Sequence, residues 1–183
     1  MSAIEQLFEL VDPPPERFAY DWADVERQLG TALPADFKRL AETYGAGEFD
    51  ETFTLHAPTG DGARADLVPA AREQADTWRS IREDVIGGGP LVVFPEPGGL
   101  LAWGMVPIGL ALCWQTEGPP DRWPVVVCDD TSLTVGVSRF DGPASEFLLA
   151  VLLGEAEIPY LADTGYCPAE PPRFTSLALR HHP

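Results

Sequence analysis

Apolar residues recur along this chain with two different periods, and the change between them divides it. Ile4, Leu7, Phe8 and Val11 keep the i, i+3, i+4, i+7 spacing of a short amphipathic helix. Asp12-Pro13-Pro14-Pro15 must stop it, because proline donates no N–H and crowds the preceding turn. Asp21 suits the cap of a second helix with Trp22, Val25 and Leu29 on one face, ending near Gly30. Pro34 suits the first position of a third, where Phe37, Leu40, Ala41 and Tyr44 form the apolar stripe. Gly45 fits the left-handed residue that closes a helix. Gly47 allows a second change of direction before Phe49, Glu51, Phe53 and Leu55 alternate with Asp50, Thr52 and Thr54 as one strand.

Turn formers fill His56 to Gly62, and Asp66 is placed to cap a helix from about Leu67 through Ala71, Ala75, Trp78, Ile81 and Val85. Gly87-Gly88-Gly89-Pro90 forbids its continuation. Short β runs then follow at 91–94, 100–105, 110–116, 123–129 and 134–138, separated by Pro- and Gly-rich turns, which predicts a sequential antiparallel meander. Val125, Val126 and Val127 are apolar in succession, so that strand is expected in mid-sheet, buried on both faces. Asp141 or Ser145 starts a last helix with Phe147, Leu148, Val151 and Leu152, which ends at Gly154. The prolines beyond it exclude a long regular element. The expected organisation is an N-terminal helical arm over 1–20, one domain over 21–154 and an extended tail over 155–183.

Charge narrows the partners. The chain carries 12 Lys and Arg against 29 Asp and Glu, a net −17 that repels nucleic-acid phosphates and anionic lipid. No direct nucleic-acid or membrane partner is expected. The acidic N-terminus has no basic segment leading into an apolar run, and three cysteines are too few for a disulfide framework; both suit the cytoplasm. The acids concentrate in the first 62 residues, with Glu48, Asp50 and Glu51 beside the glycine turn, a distribution that can steer a basic protein toward one face.

Candidate chemistry is sparse. His56 has no acid or cysteine at ligand spacing, and the adjacent His181 and His182 are poorly placed for joint ligation. Cys113 and Cys128 fall in apolar strands, and Cys167 falls in the tail. Asp129-Asp130 lacks the ordering of a calcium loop, and the Gly87 run follows a helix, where phosphate-cradling loops precede one. No nucleophile, base and orienting group are associated by spacing, so neither an enzyme nor a bound cofactor or metal is expected. Trp103, Trp114 and Trp123 lie on neighbouring β runs, and any of them left partly exposed would anchor a partner. The candidate partner-binding residues are Glu48, Asp50, Glu51, Trp103, Trp114 and Asp121.

Three ordered segments resemble the SUKH superfamily, the Smi/Knr-type domain. Leu33-Pro34-Ala35-Asp36-Phe37 through Tyr44-Gly45-Ala46-Gly47-Glu48-Phe49 is similar to its first signature. Leu100-Leu101-Ala102-Trp103-Gly104, Leu112-Cys113-Trp114 and Asp121-Arg122-Trp123-Pro124-Val125-Val126-Val127 resemble its central strands. Phe140-Asp141-Gly142 and Glu146-Phe147-Leu148 resemble its closing strand-to-helix passage. Val106-Pro107-Ile108-Gly109 stands where many bacterial members carry a polar Asp-Asn-Gly-like turn. The resemblance implies an α+β single domain, a curved and mainly antiparallel sheet flanked by helices. It also implies a non-enzymatic protein-binding role, either as an immunity protein that neutralises a toxin domain or as a housekeeping regulatory or scaffolding module; the acidic surface would match a basic toxin such as a nuclease.

Overall fold

A computed structural model of the chain describes residues 1–84, 92–129, 138–156, 158–159 and 166–177. Five helices are described: α1 (Ala3–Leu10), α2 (Trp22–Leu29), α3 (Ala35–Tyr44), α4 (Leu67–Asp84) and α5 (Ala144–Leu152). The seven described strands are β1 (Gly47–Phe49), β2 (Phe53–Leu55), β3 (Leu100–Val106), β4 (Leu110–Gln115), β5 (Val125–Asp129), β6 (Ser138–Phe140) and β7 (Phe174–Ser176). They form one curved, unclosed sheet in the order β6-β5-β4-β3-β2-β1-β7, with every neighbouring pair antiparallel. The α+β architecture is the one expected, and the meander runs unbroken from β1 to β6.

Strand alternation assigns the two faces. Phe49, Phe53, Leu55, Leu101, Trp103, Leu112, Trp114, Val125 and Val127 point into the larger core, built with α1, α3 and α5. Leu100, Ala102, Ala111, Cys113, Val126 and Cys128 point the other way, where Ala75 and Trp78 of α4 cover them. The valine triplet is therefore buried on both faces, and both strand cysteines are buried free thiols. Register shifts between Ala102 and Gly104, so Trp103 is an extra residue in β3. Gly104 is required there by proximity: a Cβ would stand 2.5 Å from the Thr54 carbonyl of the neighbouring strand.

Several local expectations give way to tertiary structure. Phe49 to Leu55 is a hairpin where the alternation predicted one strand. Asp50 and Glu51 adopt φ of 48° and 53°, and Thr52 N–H donates to the Phe49 carbonyl at 3.0 Å. Folding back pairs Phe49 with Phe53 on the core face, and the Asp50 carboxylate accepts from the Ala169 and Arg173 N–H groups, which offsets the strained backbone. Gly45 has φ 70° but ψ −164°, a conformation open to glycine and outside the left-handed helical region, and the Phe18 ring lies 2.6 Å from where a Cβ would be. Pro34 caps α3 from outside its first turn.

Helix starts are capped across the fold. The predicted Asp141 or Ser145 start of α5 is replaced by Pro143, while Asp36 of α3 accepts from the Ser145 N–H at 3.0 Å. Asp121, in the 3-10 turn Pro120–Arg122, accepts from Ala35 N–H at 2.7 Å. Asp21 caps α2 locally, as the sequence indicated, by accepting from Asp24 N–H. In place of the predicted 91–94 strand, Val93 makes one isolated bridge to Leu100, and Leu91 lies outside the described residues. So do Gly87-Gly88-Gly89-Pro90, Asp130, Thr134, His181 and His182. Within the proline-rich tail, Phe174 to Ser176 pair with β1 and complete the sheet.

Besides the packing of Ile4, Leu7 and Val11 in the larger core, a buried phenol ties down the end of the N-terminal helix. Tyr44 Oη donates to the Val11 carbonyl at 2.7 Å, where α1 ends. Tyr44→Phe keeps the ring but strands that carbonyl, so it is expected to lower unfolding stability by about 1–2 kcal/mol in urea titration.

Candidate functional site

The sheet face opposite the larger core is only partly covered by α4. Beyond its reach a cross-strand row runs Thr175, Glu48, Thr54, Met105, set by the pairing of β7, β1, β2 and β3. Over this row lies a groove of about 500 Å³, predominantly apolar in lining. One wall is aromatic. Phe18 and Tyr20 sit two residues apart on an extended segment, so both point the same way, with rings stacked at 6.3 Å and 3°. Tyr20 meets Trp22 edge-on at 5.5 Å, and Trp22 meets Phe37 at 6.4 Å, so the wall is braced against the core. Burial, with Glu42 nearby, pushes the Tyr20 phenol up to about 12, so it remains a neutral hydrogen-bond donor.

The opposite wall is the loop after β2. The Ala57–Asp66 bridge and the Ala57 N–H to Ala65 carbonyl bond close that loop, and Asp66 accepts from Gly62 N–H. Asp61 is fixed by the Thr59 hydroxyl and the Ala63 N–H, and Arg64 stands beside it. Leu177, bonded through its N–H to the Ala46 carbonyl, and Pro107 of the β3–β4 turn close the ends. An apolar floor with a few fixed polar groups is the usual make-up of a recognition cleft.

Among the six residues singled out from sequence, the structure brings one to this groove. Glu48 lies on its floor. Asp50 and Glu51 form the hairpin turn, where Asp50 is engaged with the tail and Glu51 is exposed. Trp103 and Trp114 expose nothing, so the partial exposure that would have made either an anchor is not met. Each packs on Phe37 from the core side, at 6.1 and 4.8 Å. Asp121 caps α3 elsewhere on the molecule. Sequence reading missed Phe18, Tyr20, Arg64 and Leu177. The Phe18–Tyr20 spacing was a legible signal, but Leu177 depends on a long-range strand pairing that no local pattern announces.

His56, which has no acid or cysteine at ligand spacing in the sequence, is buried beside α4, 4% exposed. Burial and the nearby Arg64 guanidinium push its imidazole down to about 4, so it is neutral at pH 7. Among the described residues no group of three His, Cys, Asp or Glu is placed to hold a metal ion, and no helix is long and apolar enough to cross a membrane.

A family model described as SMI1-KNR4 cell-wall matches residues 20–141, from Tyr20 of the aromatic wall through β6. No curated protein and no solved structure matches the chain. With two thirds of its length matched and the α+β sheet in place, this chain belongs to the SUKH (SMI1-KNR4) superfamily.

Proposed function

We propose that this chain is a non-enzymatic binding domain, an immunity protein that captures a basic toxin domain and occludes its active site. The observation that carries the reading is the preformed apolar groove with Glu48 on its floor, on a protein of net charge −17. Family membership is consistent with a protein-binding role. An apolar, aromatic-walled cleft supplies contact area at little ordering cost, because Phe18 and Tyr20 are already stacked. The surrounding negative charge speeds encounter with a cationic surface, such as the substrate cleft of a nuclease, and weakens as salt rises. Occlusion requires no bond to be made or broken.

Co-expression with toxin domains encoded beside this gene tests the proposal. Protection of the cell by this chain is expected against one of them, and absence of protection against all of them contradicts it. Glu48→Arg reverses charge on the groove floor, so protection should be lost and affinity for the toxin domain should fall at least tenfold, about 1.4 kcal/mol. Calorimetric titration of the purified pair reads the change.

A further inference from the structure

Among the described residues three large apolar side chains stay exposed, Met1, Ile108 and Leu153, and of these Ile108 adjoins the groove. It follows Pro107, which closes one end, in the turn that leaves Met105 of the lining. The loop that carries it is short and tied. Val106 pairs with Leu110 across the hairpin, Gly109 N–H donates to the Val106 carbonyl at 3.1 Å, and Pro107 presets φ at the first turn position. Ile108 is thereby held at the tip, 52% exposed. Turn tips ordinarily carry Asn, Asp, Gly or Ser, which bond to nearby backbone or tolerate its bends, and a branched aliphatic side chain does neither. Folding gains little from isoleucine here. A lone exposed hydrophobe needs no explanation, whereas one that prolongs an apolar groove enlarges a single patch, and such patches mark contact with another protein.

We infer that Ile108 is an anchor for the protein held in the groove, entering an apolar pocket set within that partner's basic surface. The inference rests on the reading of the groove as the partner's seat. Contact is then reciprocal: the partner fills the groove, and the hairpin tip fills a pocket on the partner. Isoleucine neither carries charge nor makes side-chain hydrogen bonds, so only an apolar pocket rewards its burial. The basic surround follows from the net charge of −17 and from Glu48 on the groove floor. Charge and anchor separate in the kinetics, because charge acts mainly on association and a buried apolar contact on dissociation.

The test measures association and dissociation rates of the full chain with the toxin domain against which it protects cells. Ile108→Asn is expected to dissociate at least about tenfold faster, with the association rate and its salt dependence unchanged. Its urea midpoint should not fall below the parent's, since asparagine suits a turn tip. Ile108→Leu keeps the apolar volume and should stay within about threefold of the parent affinity. Leu153→Asn removes an equally exposed side chain at the end of α5, which packs on the other sheet face, and should bind as the parent does. Parental dissociation in Ile108→Asn, an equal loss in Leu153→Asn, or a lowered urea midpoint that assigns Ile108 to the fold overturns the inference. Failure to bind any toxin domain removes the groove reading and this inference together, whereas binding that Ile108→Asn leaves intact removes this inference alone.

Discussion

Phe37→Ala is expected to lower unfolding stability by about 3–5 kcal/mol, a large fraction of the roughly 5–15 kcal/mol that holds a typical domain folded. Phe37 is fully buried at the centre of an aromatic chain, edge-on to Trp114 at 4.8 Å and to Trp103 at 6.1 Å, with Trp22 at 6.4 Å on its other side. Removing the ring leaves a cavity lined by three indoles that the sheet holds in place, so little collapse can refill it. The loss should also reach the groove, because Trp22 links Phe37 to Tyr20 and Phe18. Urea unfolding gives the stability change. Tyrosine and tryptophan fluorescence of the folded fraction should report a loosened groove wall. A change below about 1 kcal/mol would show that the aromatic chain is not the organising contact of the larger core.

The second large effect appears in acid. His56 is neutral in the folded chain down to about pH 4, whereas an unfolded histidine titrates near 6.5. Above pH 6.5 neither state carries the proton, so the residue has no effect on the pH dependence. As pH falls from 6.5 toward 4 the unfolded chain takes up a proton that the folded chain refuses, and stability drops by ~3 kcal/mol in total. Burial is the main cause, with the Arg64 charge adding to it; Arg64 and Glu73 line, with His56, a recess of about 230 Å³ between α4 and the sheet. His56→Phe removes this term. The difference in unfolding stability between parent and variant should therefore stay constant above pH 6.5 and shift in favour of the variant below it. A parallel pair of curves down to pH 4 would mean that His56 is reached by solvent and titrates normally. Taking the difference between the two proteins cancels the other acids, including Asp36, whose carboxyl burial pushes up in both.

Much of the fold was legible because its elements are amphipathic in a local way. The stripes Ile4–Leu7–Val11 and Phe37–Leu40–Tyr44, the Asp21 cap and the valine triplet each state their environment within one or two turns of chain. What failed to show was anything decided at long range. The 49–55 alternation predicts one strand because the apolar–polar period outweighs the modest tolerance of Asp50 for a left-handed turn, and Glu51 has no such tolerance. The turn is completed from the distant C-terminal tail, by Phe174 and by the backbone of Ala169 and Arg173, 119 and 123 residues from Asp50. The start of α5 was misplaced for the same reason, since its cap comes from Asp36.

The candidate site was less legible than the fold. Glu48 was singled out as part of an acidic cluster, and it does line the groove, yet its sequence neighbours Asp50 and Glu51 are carried away by the hairpin turn. Trp103 and Trp114 lie on adjacent strands, which makes them candidate anchors by sequence, but strand parity and the extra residue at Trp103 aim them into the core. The surface that remains accessible is built by residues with little individual signal, among them Thr54, Met105 and Leu177. A groove depends on how strands are registered and on which loops fold over them, and neither is written in the local apolar pattern.

In the mode of action proposed, this protein holds another protein in the groove over β7, β1, β2 and β3. The direct measurement is hydrogen exchange of the chain alone and mixed with the toxin domain against which it protects cells. Slowed exchange is predicted in 17–20, 46–48, 59–65 and around Leu177, absent in Glu48→Arg, with α1 and α5 unchanged. Protection confined to the α1 and α5 side, with the groove segments exchanging as before, would contradict it.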